Sequence, residues 1–406
     1  MRSLLPLALS TLVLLAACSE DAGVADPGEI PDQTDGRITI TNDETRLASR
    51  LTSRDDSIGV VQLSKAAVPA ALKLTLVAEI APPIVSGQLV QASSARLKAD
   101  FAYVSYHMRG SASLGAVDVV QLKGIANPTV RSSASLTDTD VSSACHDGSA
   151  VYLAASSAHP AAVAPAFAEV VGIDGGSKFN LLSGALQVLS SNAATSVYAS
   201  LGVVYVTTGS AGGVYRLSHS SQLSITAFRE LDDARWVDVD GSYCVVAQGT
   251  PGRLAVLDRT TLALVRTITF DGATIPQSKS TVRLIGGKAL VAAGSGGVKL
   301  IDLASGVQVG SISRAIVPGL DPSLTATNAV DAAGRYVFIS NGEAGIYLAE
   351  ASEDLENLSG SRPITLAVLG RLQFPSLQPV THVAFDGTVL LVASGLGGTK
   401  VLHVSS

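Results

Sequence analysis

One pattern recurs along this chain and limits its fold more than any other feature. A short apolar strand is followed by a turn of small residues, usually with glycine, and then a second strand. The units are FAYVSYH (101–107), AVYLAASS (150–157), VVYVTTGSAGGVYRL (203–217), YCVVAQGTPGRLAVLD (243–258), ALVAAGSGGVKLIDL (289–303), YVFISNGEAGIYLAE (336–350) and VLLVASGLGGTKVLHV (389–404). They begin near residues 101, 150, 203, 243, 289, 336 and 389, a mean spacing of about 48 residues. A third element often precedes the unit and ends in a turn, as in ARWVDVDG (234–241), AVDAAG (329–334) and THVAFDG (381–387). A period of about 40–50 residues with three or four strands per unit predicts an all-β chain folded as a β-propeller. Seven units give seven blades, with six and eight as the neighbouring alternatives. The in–out alternation is blurred, as expected when blades stack face to face and bury both sides of their inner strands.

The last unit runs out at its third strand, so the outer strand of that blade must come from elsewhere. LKLTLVAEI (72–80) is predicted to pair with the last blade and close the ring, removing an exposed sheet edge. IGVVQLS (58–64) reads as a further strand of that blade or as an N-terminal addition. RITITN (37–42) reads as ordered, without an assigned place.

The N-terminus carries a different kind of information. Met1 and Arg2 precede a Leu-, Ala- and Val-rich stretch that ends Leu15-Ala16-Ala17-Cys18, which reads as an export signal and not as a membrane span. A cysteine directly after two alanines resembles the bacterial lipobox. The resemblance implies that residues 1–17 are removed and that Cys18 carries the lipid that holds the chain to a membrane. Residues 19–36 contain six acidic and no basic side chains and show no apolar periodicity. Such a segment cannot offset its ordering entropy by burial, so residues 18–36 are expected to form a flexible tether and residues 37–406 the propeller. At ~5–6 Å × √n the tether would hold the body ~20–25 Å from the anchor. In the lipoprotein families this resembles, Ser19 after the cysteine leans toward the outer membrane of a two-membrane cell.

The "YVxxx…GGVxLID" rhythm, clearest at 203–217, 289–303 and 336–350, resembles the LVIVD-repeat family of bacterial surface propellers. That resemblance implies a propeller body and an envelope location, and it brings no catalytic residues with it.

Hydrophobic residues make up 47% of the chain, charged residues 15%, and the net charge is −6, with no basic stripe able to track a phosphate backbone. Nucleic acid is therefore not an expected partner. There is no Gly-x-Ser-x-Gly, His-Glu-x-x-His, Cys-x-x-Cys or Gly-x-x-x-x-Gly-Lys motif. GSGG (294–297) and GLGG (395–398) precede strands, not helices, and read as turns. DVDG (238–241) lacks the later oxygens of a calcium loop and reads as a hairpin turn. The six histidines share no ligand spacing, so no metal and no cofactor are expected. Cys145 and Cys244 are expected to be buried free thiols, since free cysteine packs as a small hydrophobe.

A propeller places equivalent positions of distant repeats around one axis. Arg96, His146, Ser196, Arg235, Arg283, Asn328 and His382 sit near the predicted innermost strands in roughly matching places. They are expected at one rim, with Arg235, Arg283 and His382 together and Trp236 as a platform beside Arg235. Arginines there would favour a carboxylate or phosphate by two-point hydrogen bonding. The competing reading makes the same residues structural links between blades. Aromatics are 4% of the chain, which argues against an extended sugar cleft. These features predict a monomeric, lipid-anchored envelope propeller that binds a protein, a surface polymer or a small ligand without catalytic activity. The alternative is a lactonase-like hydrolase or lyase whose site is assembled from several blades at the axial mouth.

Overall fold

The computed structural model describes residues 32–159, 164–182, 186–374 and 379–406. Cys18 and most of the expected tether lie outside the described residues. Within the described part of the segment assigned to the tether, Gln33–Thr34 forms a short strand and Asp32 pairs with Arg46 at 2.9 Å.

Seven antiparallel sheets follow one another along the described chain and build a seven-bladed β-propeller. The innermost strands are Gln91–Lys98, Asp140–His146, Ser196–Ser200, Ala234–Val239, Val282–Ile285, Ala329–Ala333 and His382–Phe385, in blades 1 to 7. The recurring sequence unit is thus the second and third strand of each blade, and the short element before it is the innermost. The turn between strands two and three needs backbone that only glycine adopts freely. Gly294 and Gly297 have φ of +52° and +75°, and Gly342/Gly345 and Gly395/Gly398 repeat this two blades in succession.

Among the described residues the core is divided into seven hydrophobic clusters, one in each wedge between neighbouring blades. Val245, Ala247 and Val256 of blade 4 meet Val282, Ala289 and Val291 of blade 5, for example. Each middle strand serves two wedges, so its side chains are buried on both faces, which accounts for the blurred alternation. Cys145 and Cys244 are buried and free, each in such a wedge.

Lys73–Ile80 pairs with the last strand, Thr399–Ser405, and closes the ring. The rest of the N-terminal region is a strap around the outside. Ile38–Thr41 adds to the outer strand of blade 1, Leu51–Ser57 lies outside Lys73–Ile80 on blade 7, and Gly59–Gln62 adds to blade 6. The segment at 58–64 therefore belongs to blade 6 rather than to the closing blade. Gly370 allows that addition: a Cβ there would lie 2.4 Å from the carbonyl oxygen of Val61. Arg50 fastens the strap with two bonds, of 3.0 and 2.5 Å, to the fully buried Asp118 in blade 1.

Candidate functional site

The innermost strands face the axis with one edge that has no strand partner. Buried amides must nevertheless be satisfied. Side chains of the preceding blade do this in a repeating manner. Val197 N donates to Ser143 Oγ (3.5 Å), Ala199 N to Cys145 Sγ (3.3 Å) and Val237 N to Ser196 Oγ (3.5 Å). Leu284 N donates to Asp238 Oδ2 (2.8 Å), Val330 N to Thr281 Oγ1 (3.2 Å) and Phe385 N to Asp331 Oδ2 (2.8 Å). At the closing seam Ala95 N donates to His382 Nδ1 at 3.5 Å. Side chains on or next to the innermost strands, two of them on blade 2 at Ser143 and Cys145 and one on each of the other blades named, thus stitch the blades to one another.

Trp236 divides the axial channel. It lines two chambers, and no other described residue lines both. The first, of about 260 Å³, is walled by the later halves of the innermost strands and the turns that follow them. The second, of about 380 Å³, is walled by the loops that lead from one blade into the next. The indole is 3% exposed. Arg96, from the first chamber, lies 5.5 Å from the ring centroid, and Lys279, from the second, lies 5.9 Å from it. A cation therefore approaches the ring from each chamber, within the range where the π face attracts it.

The first chamber is electrostatically mixed. The Arg283 guanidinium bridges Asp331 (3.3 Å) and Asp238 (3.8 Å), joining blades 4, 5 and 6, while its side chain stays 48% exposed. Asp331, nearest among its carboxylate neighbours, holds the guanidinium charged, and burial only partly opposes this. Burial pushes the Asp331 carboxyl up, with Arg283 and the amides of Phe385 and Ala332 acting in the opposite direction. Arg96 donates to Val197 O at 3.1 Å and has no carboxylate partner among the described residues. Glu356 and Asp386 stand at the same mouth.

The residues expected at one rim are divided. Arg283, His382, Trp236 and Arg96 line the first chamber. Arg235 does not: it lines the second, bound to Asp233 by bonds of 3.0 and 2.6 Å and to the carbonyls of Ile275 and Ser278. The reason is a β-bulge between Ala234 and Trp236, which turns Arg235 out of register with Arg283. Gly249 makes room for that pair, since a Cβ there would lie 2.0 Å from Arg235 Nη2. His146 points into the wedge between blades 1 and 2, stacked on Tyr103 at 4.8 Å, not into either chamber. Asn328 lines neither chamber, and its backbone links Thr281 to Ser340. Ser196 and His382 each accept an amide of the neighbouring blade. Three residues were missed. Asp238 and Asp331 had a usable signal, because each stands at the same distance before the turn in ARWVDVDG and AVDAAG. Lys279 sits in a loop between blades, where the repeat gives no register.

No family model matches this chain, and no curated protein matches it in sequence. Solved structures do match its fold. BamB from Moraxella catarrhalis is 14% identical, with a TM-score of 0.51 over 82% of this chain and 100% of that one. A protein from Bacteroides uniformis assigned as a 6-phosphogluconolactonase is 12% identical, with a TM-score of 0.54 over 79% of this chain and 99% of that one. At such identities these likenesses carry the propeller architecture alone.

Proposed function

We propose that this chain is a lipid-anchored propeller of the bacterial cell envelope, related to the LVIVD-repeat surface propellers, that acts as an interaction module through the chamber mouth at Arg283. The observation that carries the reading is the posture of Arg283. Two carboxylates from flanking blades, the buried Asp238 and the partly buried Asp331, hold the guanidinium in place while about half of its side chain remains open to solvent. A preorganised, half-exposed arginine costs little entropy to engage and suits a carboxylate or phosphate on a partner protein or surface polymer. The hydrolase or lyase alternative asks for two free acids or bases converging at the same mouth. Of the four described carboxylates there, Asp238 and Asp331 are each engaged by a backbone amide of the next blade and by Arg283, and Asp386 accepts amides of its own turn, which leaves Glu356 alone and favours the binding role. The lipobox at Cys18 and the serine after it support anchoring, with the outer membrane as the favoured site.

The two parts are tested separately. Cys18→Ala should move the protein from the membrane fraction to the soluble fraction and abolish palmitate labelling. Retention of both in the variant would remove the anchor. For the mouth, a photo-reactive residue in place of the exposed Glu356 should give a discrete cross-linked adduct in intact envelopes. Arg283→Glu should abolish that adduct. An adduct indifferent to Arg283→Glu, or none at all, would count against this face.

A further inference from the structure

We propose that the second chamber, between Trp236 and the blade-connecting loops, binds a small oxyanion, a carboxylate or a phosphate, through Lys279 Nζ. This site lies at the other end of the channel from Arg283 and stands independently of the interaction role proposed above. Lys279 makes no hydrogen bond or ion pair with any described residue; its ammonium lies 5.9 Å from the centre of the Trp236 ring, and its charge reaches His107 and His382, the latter pushed well below its usual range by burial and then by Lys279 and Arg96 and so neutral near pH 7. Burial pushes its amine down to about 8, and no carboxylate acts on it in the opposite sense. The charged and titratable groups around it leave its charge uncompensated. Asp233 is the one carboxylate among the described lining residues, and both its oxygens are taken by Arg235. Burial, then the charges of Lys279 and Arg109, push His107 down to about 4, so it is neutral near pH 7. Across the indole stands Arg96, a further cation. At the rim, the side chains of Asn192, Ser210 and Gln277 make no hydrogen bonds among the described residues and are exposed to a ligand. A chamber of about 380 Å³ with one unmatched positive charge at its floor and neutral donors at its rim suits a compact anion. The contrast with the first chamber supports this, since four carboxylates line that one.

The chain holds one tryptophan, and it lines both chambers, so its emission responds to this site and the variants separate the two. The test titrates the folded protein with inorganic phosphate and, separately, with acetate at constant ionic strength, following tryptophan emission and heat of binding. The expected result is a saturable change with at least one of the two anions. Lys279→Met and Lys279→Gln should each weaken it by about tenfold or more, as loss of a charge-assisted hydrogen bond implies. Because Trp236 also lines the first chamber, a saturable change should persist in Arg283→Gln, which removes the cation proposed to bind anions there. No saturable signal with either anion by either readout would overturn the proposal. So would equal affinity in the wild type and both Lys279 variants.

Discussion

At the scale of single residues, the axial side chains serve the ring before they serve any ligand. Asp331 accepts the amides of Phe385 and Ala332, at 2.8 and 2.9 Å, and pairs with Arg283. Asp331→Ala strands a buried amide and should cost about 1–3 kcal/mol. Asp331→Asn keeps one acceptor and should cost less, an ordering that urea unfolding would check. The axial histidines predict a pH dependence. Burial, followed by the charges of Lys279 and Arg96, pushes His382 well below its usual range, and His107 is pushed to about 4. Both are neutral in the fold, whereas the unfolded chain takes up their protons near pH 6.5. Their stabilisation is therefore complete above that pH and is lost as pH falls toward 4. Each contributes a slope of up to about 1.4 kcal/mol per pH unit in that window. Urea midpoints at pH 7 and pH 5 should draw closer together in the His107→Gln/His382→Gln protein, in which the glutamine at 382 can still accept from Ala95. Unchanged separation of the two midpoints would mean that neither histidine is buried neutral.

At the scale of elements, the strap is fixed by buried and part-buried ion pairs more than by its strands, Arg37 to Glu169 and Asp138 and Arg50 to Asp118. Leu51–Ser57 is largely exposed, but Arg50 just before it reaches a carboxylate with no solvent exposure. Arg50→Met leaves the Asp118 charge buried without a partner and should cost about 3–5 kcal/mol. Adding Asp118→Leu removes the orphaned charge and should recover most of that loss, a double-mutant cycle read from unfolding midpoints. A double variant as unstable as Arg50→Met would show that the strap depends on other contacts. The element scale also marks what the sequence could and could not disclose. LKLTLVAEI was readable as the closing strand because its apolar pattern matched a blade that lacked one. The strap's order around blades 1, 7 and 6 was not, because pairings such as Arg371 with Val61 span hundreds of residues and leave no local mark. Arg283 and His382 were placed together by repeat register. Arg235 was misplaced because a one-residue bulge is invisible in a repeat whose period already varies.

At the scale of the molecule, the ring is held at its seam by its own N-terminal region. The innermost strand of blade 1 follows Lys73–Ile80, the strand that completes blade 7, after one short hairpin of Ile84–Val85 and Gln88–Leu89. Blades 7 and 1 are thus joined covalently as well as by the wedge that contains Val77, Ala78, Ile80, Ala92 and Leu391. This separates two truncations. Removing residues through Gln62 takes the outer strands from blades 1, 6 and 7 and leaves Asp118 without Arg50, yet the ring stays closed. That protein should fold, with a stability lower by at least the about 3–5 kcal/mol of an unpaired buried charge. Removing residues through Ile80 also exposes the edge of Thr399–Ser405 and strips three side chains from the seam wedge. An open apolar strand edge invites pairing between molecules, so this shorter protein should aggregate or fail to fold. Size-exclusion chromatography and thermal unfolding by circular dichroism distinguish the outcomes. The order of stability should be full body, then the strap deletion, then the seam deletion. A seam deletion that stays monomeric and unfolds like the strap deletion would mean that neither the closing strand nor its covalent link to blade 1 is needed to hold the disc together.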